Sequence, residues 1–253
     1  MQLWADLHTH TVNSDGRGTI RENVEAAVQA GLKAVAITDH GPRGVGIGVK
    51  NLSVYRESGL EAARLEEELP VRVLVGAEAN VTGTDGSLDI PAEVVDGLDL
   101  LVAGLHPFVR PDHGAEALSW LVPNQVARVS SFVRERLRAG NTKAMAEAVR
   151  KYPVDIVSHP NLMLAVDLDE LARVCSRYDT AMEINTGHHY NKDDVARAAI
   201  RHGALISVNS DAHTPSGVGA LSTGGALLQR MNVPPNQVIN TRGDFPVGKF
   251  RRV

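Results

Sequence analysis

The sequence predicts an α/β protein whose parallel strands form either a closed βα barrel or an open doubly wound sheet. Seven short runs rich in Val, Ile, Leu and Ala recur along the 253 residues, and stretches with helical periodicity lie between them. The runs are continuously apolar, as burial on both faces of a parallel sheet requires, whereas antiparallel hairpins would show alternation and tight turns. In order, the runs are LWADL (3–7), AVAIT (34–38), VRVLVG (71–76), LDLLVAG (98–104), VDIVS (154–158), AMEIN (181–185) and LISVN (205–209).

The helical stretches between these runs carry recognisable start signals. Thr19 precedes IRENVEAAVQAGL, and Asp167 precedes LDELARVCSRY. The interval 107–153 is longer than the other connections and contains two helical patterns, NQVARVSSFVRERLRAG and NTKAMAEAVRKY. We interpret this interval as an enlarged insertion over one face of a single domain that spans residues 1–253. The glycine-rich segment GPRGVGIGVKN (41–51) lacks a nucleotide-binding glycine spacing and is predicted to be a mobile loop near the site.

Charge and composition exclude several classes of protein. The formal net charge is −4, which argues against an extended nucleic-acid-binding surface. The chain begins without a secretory signal pattern, and no stretch approaches the roughly 20 apolar residues of a membrane helix, so we expect a cytoplasmic protein. The single cysteine, Cys175, rules out an internal disulfide and a thiolate cluster. Any metal must therefore be bound by imidazole and carboxylate groups.

Histidines and carboxylates follow the predicted strands at their carboxyl ends, where barrel enzymes place their chemistry. Six of the ten histidines lie there, whereas randomly placed histidines would be scattered along the chain. Together with two strand-end carboxylates and a nearby aspartate, they make nine potential ligands on one rim. These are His8, His10, Asp15, His40, Glu78, His106, His159, Asp211 and His213.

The spacing within this set indicates more than one metal ion. His8 and His10 are two residues apart on an extended segment, so both imidazoles point to the same side, and the same holds for Asp211 and His213. A carboxylate such as Glu78 can bridge two ions because it has two acceptor oxygens. Nine ligands exceed the roughly four that one zinc ion takes. We therefore predict two or three divalent ions, with Zn, Mn, Fe or Co all compatible with the ligand types.

A single His-x-His pair is weak support for a metal site, since ordinary hydrogen bonds usually satisfy such histidines. The joint pattern is much harder to explain as packing, because buried polar groups at the strand ends would find partners only in each other or in a metal.

Four further residues are candidates for substrate chemistry. His188 and His189 follow the sixth predicted strand, so either could face the site as a proton donor or a phosphate contact. Arg17 and Arg43 lie in loops after the first two strands and could bind an anionic group, although an exposed arginine is usually a solvated charge.

The ordered motifs DLHTHT, TDHGP, GAEAN, AGLHPF, SHPN and NSDAH resemble those of the PHP (polymerase and histidinol phosphatase) domain, and in particular its single-domain bacterial phosphatases. The resemblance extends from residue 3 to about residue 230. It implies a distorted, TIM-like (β/α)7 barrel of parallel strands, with the 107–153 helices near the barrel mouth. It also implies that the nine residues above bind a trinuclear centre, often of zinc or manganese, that catalyses phosphoester hydrolysis.

The resemblance leads to a mechanistic hypothesis for a phosphomonoesterase. Three dications would move the formal charge from −4 to about +2 and attract a small phosphorylated substrate. A metal-bridging hydroxide would attack phosphorus and Asp211 would orient it. His188, His189 or a metal-bound water would protonate the leaving group.

Three alternatives stay open. A phosphodiesterase or nuclease acting on nucleotides or DNA ends would use the same chemistry at phosphorus. An amidohydrolase also begins with His-x-His, but in its two-metal forms it usually has a strand-end lysine, which this sequence lacks. A binding or regulatory module would call for partner domains, which this chain does not show.

Overall fold

Seven parallel strands form one sheet in the computed structural model, which describes residues 1–110, 122–127 and 130–241. The strands pair strictly in sequence order, and every pair is parallel. This order excludes the doubly wound alternative, whose strand order reverses at a switch point. The strands are β1 (Ala5–Asp6), β2 (Ala34–Ile37), β3 (Arg72–Asn80), β4 (Leu100–Gly104), β5 (Ile156–Val157), β6 (Ala181–Asn185) and β7 (Leu205–Asn209).

The described helices connect these strands on the outside of the sheet. They are α1 (Ile20–Gln29), α2 (Ser53–Glu68), α3 (Ala92–Val95), α4 (Val122–Ala127), α5 (Ser131–Lys151), α6 (Leu168–Arg177), α7 (Lys192–His202) and α8 (Ser222–Arg230). The predicted start signals are confirmed at two of them. Thr19 caps α1 in a capping box with Glu22, and the Asp167 side chain accepts hydrogen bonds from the first turn of α6.

The sheet curves round until β7 meets β1, so the distorted (β/α)7 barrel is confirmed. The last seam has little backbone pairing of its own, with one bridge between Thr9 and Ala212. The buried Asn240 side chain completes it, since its amide donates to the Ala5 carbonyl (2.9 Å) and its oxygen accepts from the Val208 N–H (3.1 Å). A side chain thus replaces missing ladder hydrogen bonds and satisfies buried backbone groups.

The inner face of the barrel is apolar at one end and polar at the other. Alternation along a strand sends every second residue inward, and Leu74, Leu100, Val102 and Ile156 form part of a small inner cluster. Glu78 has the same parity as Leu74 and lies four residues nearer the carboxyl end of β3. The inward-facing side of the strands therefore carries apolar residues near the base of the barrel and polar residues near its rim.

The 107–153 insertion is only partly described, because 111–121 and 128–129 lie outside the described residues. The two helical patterns of the sequence adjoin at Gly140 and Asn141, and α5 continues through both residues as one helix. Asn141 faces the interior, where it exchanges 3.0 Å amide hydrogen bonds with Asn124 on α4 and also donates to the Ala165 carbonyl. Its polarity serves packing between two helices rather than a helix start.

Across the described parts of the chain, none of the helices combines the length and the apolar character needed to span a bilayer.

Candidate functional site

The carboxylate of Glu78 lies at the centre of a cluster of imidazoles at the carboxyl end of the barrel. It is fully buried. One oxygen, Oε2, lies 2.9 Å from His40 Nδ1 and 3.3 Å from His8 Nε2. The other, Oε1, lies 3.0 Å from His159 Nε2 and 3.3 Å from His106 Nε2. Each oxygen thus faces its own pair of histidines, as a carboxylate that bridges two cations would.

The ligand atoms fall into three groups, within each of which all atoms lie within 4.8 Å of one another. His10 and His40 each belong to two groups. The groups are His10, Asp15, His40 and His213; His8, His10 and Asp211; and His40, Glu78 and His106. His159 borders the third group through its contacts with Glu78 and His106. The nine residues predicted from the sequence are therefore brought together on the rim.

Several polar atoms in this cluster are buried without a hydrogen-bond partner. They are His10 Nδ1, Asp15 Oδ1, His40 Nδ1, Glu78 Oε2 and Asp211 Oδ1. The 2.9 Å approach of His40 Nδ1 to Glu78 Oε2 lacks the alignment of a hydrogen bond. Buried polar atoms are costly unless satisfied, and nitrogen and oxygen atoms that converge without bonding each other leave room for a cation between them. The residues present fit divalent metal ions.

Protonation in this cluster is set by competition between burial and opposite charge. Burial alone would raise the pKa of Glu78, but His8, His40 and His106 hold that pKa well below its usual range. Burial would likewise lower the pKa of His213, yet the Asp15 carboxylate raises it to about 9. The Glu78 carboxylate is thus ionised at neutral pH, whereas the His213 imidazole must lose a proton before it can bind a metal.

Glu183 on β6 orients two of the histidines, and the sequence analysis missed it. Its Oε1 lies 2.8 Å from His8 Nδ1, and its Oε2 accepts from the His159 backbone N–H at 2.7 Å. A carboxylate on the far nitrogen of an imidazole fixes the tautomer and ring orientation of a metal ligand. The signal was available, since Glu183 is the one acid within the AMEIN strand and its alternation places it on the inner face.

Asn80 has the same relation to His106. Its side-chain oxygen lies 2.7 Å from His106 Nδ1, so the Nε2 of that ring faces Glu78. Asp89 in turn accepts from the Asn80 amide at 2.6 Å. The His106 ring is therefore held by a chain of buried polar contacts.

The loop carrying Asp15 is tied down by Asp39, a residue of the TDH motif that the sequence analysis did not assign. Asp39 accepts from Thr11 N–H and Thr11 Oγ1, each at 2.7 Å, and from Ser14 Oγ at 2.5 Å. These contacts place Asp15 within reach of His213, 3.3 Å away.

Two ligand residues have unusual backbone conformations. His159 has φ 26° and Asp211 has φ 53°, values that residues other than glycine rarely adopt. Such conformations persist only where the surroundings enforce them, and they concentrate at functional sites. Here the enforcing contacts include the Glu183 bond to the His159 N–H.

A cavity of about 200 Å³ opens above the cluster. His188 lines it and places its Nε2 3.0 Å from Asp211 Oδ2. The described lining residues do not include the other three candidates. His189 and Arg17 are exposed, and the backbone N–H of Arg43 donates to Asp89.

Comparisons with known proteins identify the family of this chain. The family model of the PHP domain matches residues 6–187. A probable phosphatase of Thermoanaerobacter sp. strain X514 is 30% identical over 99% of this chain and 94% of its own length. The probable phosphatase YcdX of Escherichia coli K12 is 28% identical over 97% of each chain.

Among solved structures, the histidinol phosphate phosphatase of Lactococcus lactis, crystallised with zinc, L-histidinol and phosphate, superposes with a TM-score of 0.60. The match covers 89% of this chain and 92% of that one at 16% identity. At that identity the likeness concerns the fold.

Proposed function

This chain belongs to the PHP domain family, and on that premise we propose that it is a metal-dependent phosphatase acting on small phosphomonoesters. One observation carries the proposal. Imidazole and carboxylate atoms converge at the carboxyl end of the barrel, and five of them are buried without a hydrogen-bond partner. Such a set of atoms is suited to divalent cations and, through them, to an anionic substrate.

The proposed ligands are His8, His10, Asp15, His40, Glu78, His106, His159, Asp211 and His213. The three groups of ligand atoms support two or three ions, and the donor types suit zinc, manganese or iron. Bound there, such ions lower the pKa of a water molecule towards neutrality and hold phosphoryl oxygens while charge redistributes in the transition state.

His188 and Asp211 form the proton-handling pair of the proposal. The His188 ring is partly exposed to the cavity, and its Nε2 lies 3.0 Å from Asp211 Oδ2. In our proposal His188 is the general acid that gives a proton to the departing alkoxide oxygen. Asp211 keeps the ring turned towards the cavity through its contact with Nε2. His189, which is exposed, has no role in this proposal.

The size of the cavity and the net charge favour a small monoester over the alternatives. A volume of about 200 Å³ lies below the range of roughly 300–1,000 Å³ that holds drug-sized ligands, which disfavours an extended diester. The net charge of −4 disfavours long DNA. None of the described residues lining the cavity is a lysine, so an amidohydrolase with a carbamate bridge is also disfavoured.

Phosphate release from a panel of phosphomonoesters tests the proposal. We expect release that depends on added divalent metal, is lost in Asp211→Asn, and persists in Asp193→Asn. Asp193 is a matched control because it pairs with Arg230 on the surface. No release from any monoester by protein shown to contain metal would overturn the proposal and direct attention to diesters and then amides.

A further inference from the structure

The cavity above the metal ligands has one polar side and one apolar side. The polar side consists of the histidines and aspartates already described. The other side, here called the apolar wall, consists of Val45, Ile47, Pro107, Phe108, Leu162 and Met163. An apolar wall contributes nothing to the binding of phosphate, so its chemistry bears on the rest of the substrate.

Backbone pairing holds one half of the apolar wall in place. The loop after β2 bridges the segment after β4 between Gly44 and Val109. The Val45 N–H donates to the Phe108 carbonyl at 2.9 Å, and the Arg110 N–H donates to the Arg43 carbonyl at 3.0 Å. This half is therefore a short antiparallel ladder rather than a free loop.

The loop after β5 forms the other half. The Leu162 N–H donates to the His159 carbonyl at 3.0 Å, and Arg134 donates to the Asn161 carbonyl at 3.2 Å. The apolar wall nevertheless faces solvent, since Val45 is 56% exposed and Met163 42% exposed. Large side chains held at a cavity mouth and left partly exposed mark a surface that gains from being covered.

The lining residues also restrict the charge of the substrate. A second phosphate, as in a nucleotide diphosphate, calls for arginine or lysine, and the described lining contains neither. A sugar would bury hydroxyl groups against the apolar wall without partners, at a cost in free energy. An amine would call for a carboxylate, and both in the lining, Asp15 and Asp211, already face histidines.

We infer that this enzyme selects phosphomonoesters of small, uncharged, apolar alcohols, whose hydrocarbon part packs on the apolar wall while the phosphate faces the histidine cluster. The inference rests on the proposed function. It excludes sugar phosphates, nucleotides and amino-alcohol phosphates as preferred substrates.

The test compares an apolar and a polar ester of primary alcohols with the metal-reconstituted full chain. We expect kcat/KM for 2-phenylethyl phosphate to exceed that for glycerol 3-phosphate by about tenfold or more, a ratio within the reach of an apolar contact. Calorimetric binding of 2-phenylethylphosphonate against methylphosphonate gives a second measurement that does not depend on turnover.

Substitutions that keep side-chain size but add polarity locate the effect. Met163→Gln and Val45→Thr should each reduce the preference several-fold in both measurements. Leu60→Gln is the matched control, since Leu60 lies on α2, is 59% exposed and is not among the residues lining the cavity. It should leave both ratios unchanged.

The two ways of failing are distinct. Equal or faster hydrolysis of glycerol 3-phosphate, or equal binding of the two phosphonates, would overturn the inference and leave the phosphatase intact. Absence of turnover with every ester would instead overturn the proposed function, and the inference with it.

Discussion

Replacing Glu183 with glutamine should weaken metal binding by about 10–100-fold, the usual effect of losing a partner that orients a metal ligand. The substitution keeps the size of the side chain and removes its charge. Glu183 is not among the described residues that line the cavity, so its effect must pass through the residues it orients. It is therefore a positioning residue.

The expected loss of folding stability follows from the four hydrogen bonds that the Glu183 carboxylate accepts. Oε1 accepts from His8 Nδ1 and Asn209 Nδ2, each at 2.8 Å, while Oε2 accepts from the His159 N–H at 2.7 Å and Asn185 Nδ2 at 3.1 Å. In glutamine one of these oxygens becomes an amide nitrogen, which then faces two donors. Each buried donor left without a partner costs about 1–3 kcal/mol, so the expected loss of stability is about 2–6 kcal/mol.

Either orientation of the new amide harms the site. If the NH2 group faces the His159 N–H, the backbone that adopts φ 26° loses a supporting contact. If it faces His8, it can donate only to a deprotonated Nδ1, which moves the ring proton to Nε2. That nitrogen faces Glu78 and Asp211, and a protonated nitrogen cannot bind a metal.

Two measurements separate these effects. Urea denaturation of metal-free protein gives the loss of stability, and competition with a chelator gives the metal affinity. Glu68→Gln is the control, because Glu68 pairs with Arg21 at the surface and exposed pairs contribute about 0–1 kcal/mol. Unchanged metal affinity in Glu183→Gln, even with lowered stability, would refute the orienting role.

Three further results are expected. Asn240→Ala should lower the free energy of unfolding by about 2–4 kcal/mol in urea, because it leaves buried groups of Ala5 and Val208 unsatisfied; a change near zero would mean that the seam does not depend on it. Burial raises the pKa of the Cys175 thiol from 9.0 to about 12, so iodoacetamide at pH 8 should modify only unfolded protein, and rapid labelling of native protein would contradict this. Because the thiol ionises more easily in the unfolded chain, the free energy of unfolding should fall as the pH rises above 9 towards 12. Asp39→Asn should loosen the loop that carries Asp15 and lower the number of metal ions bound per chain, measured by elemental analysis, whereas unchanged stoichiometry would argue against it.

Sequence reasoning located the site because its ligands follow strands, and the carboxyl ends of parallel strands meet at one rim. It could not assign partners across the barrel. Glu183 orients His8 over a separation of 175 residues, and no local pattern encodes such a pairing. Asn240 at the seam was missed for the same reason. His188 and His189 could not be told apart because adjacent residues in a loop carry no periodicity that fixes which one turns inward.

The site also depends on a glycine, Gly104, because a larger residue at this position would not fit. Gly104 ends β4 on the inner face, and a Cβ there would lie 2.7 Å from Ser158 Oγ and 2.9 Å from Glu78 Oε1. Contacts this short would displace the central carboxylate from its position between the imidazoles. The inner face therefore combines large polar side chains on β3 and β6 with a glycine, which has no side chain, on β4. The motif AGLH contains both this glycine and the proposed ligand His106, so the glycine leaves space for the Glu78 carboxylate and the histidine contacts it.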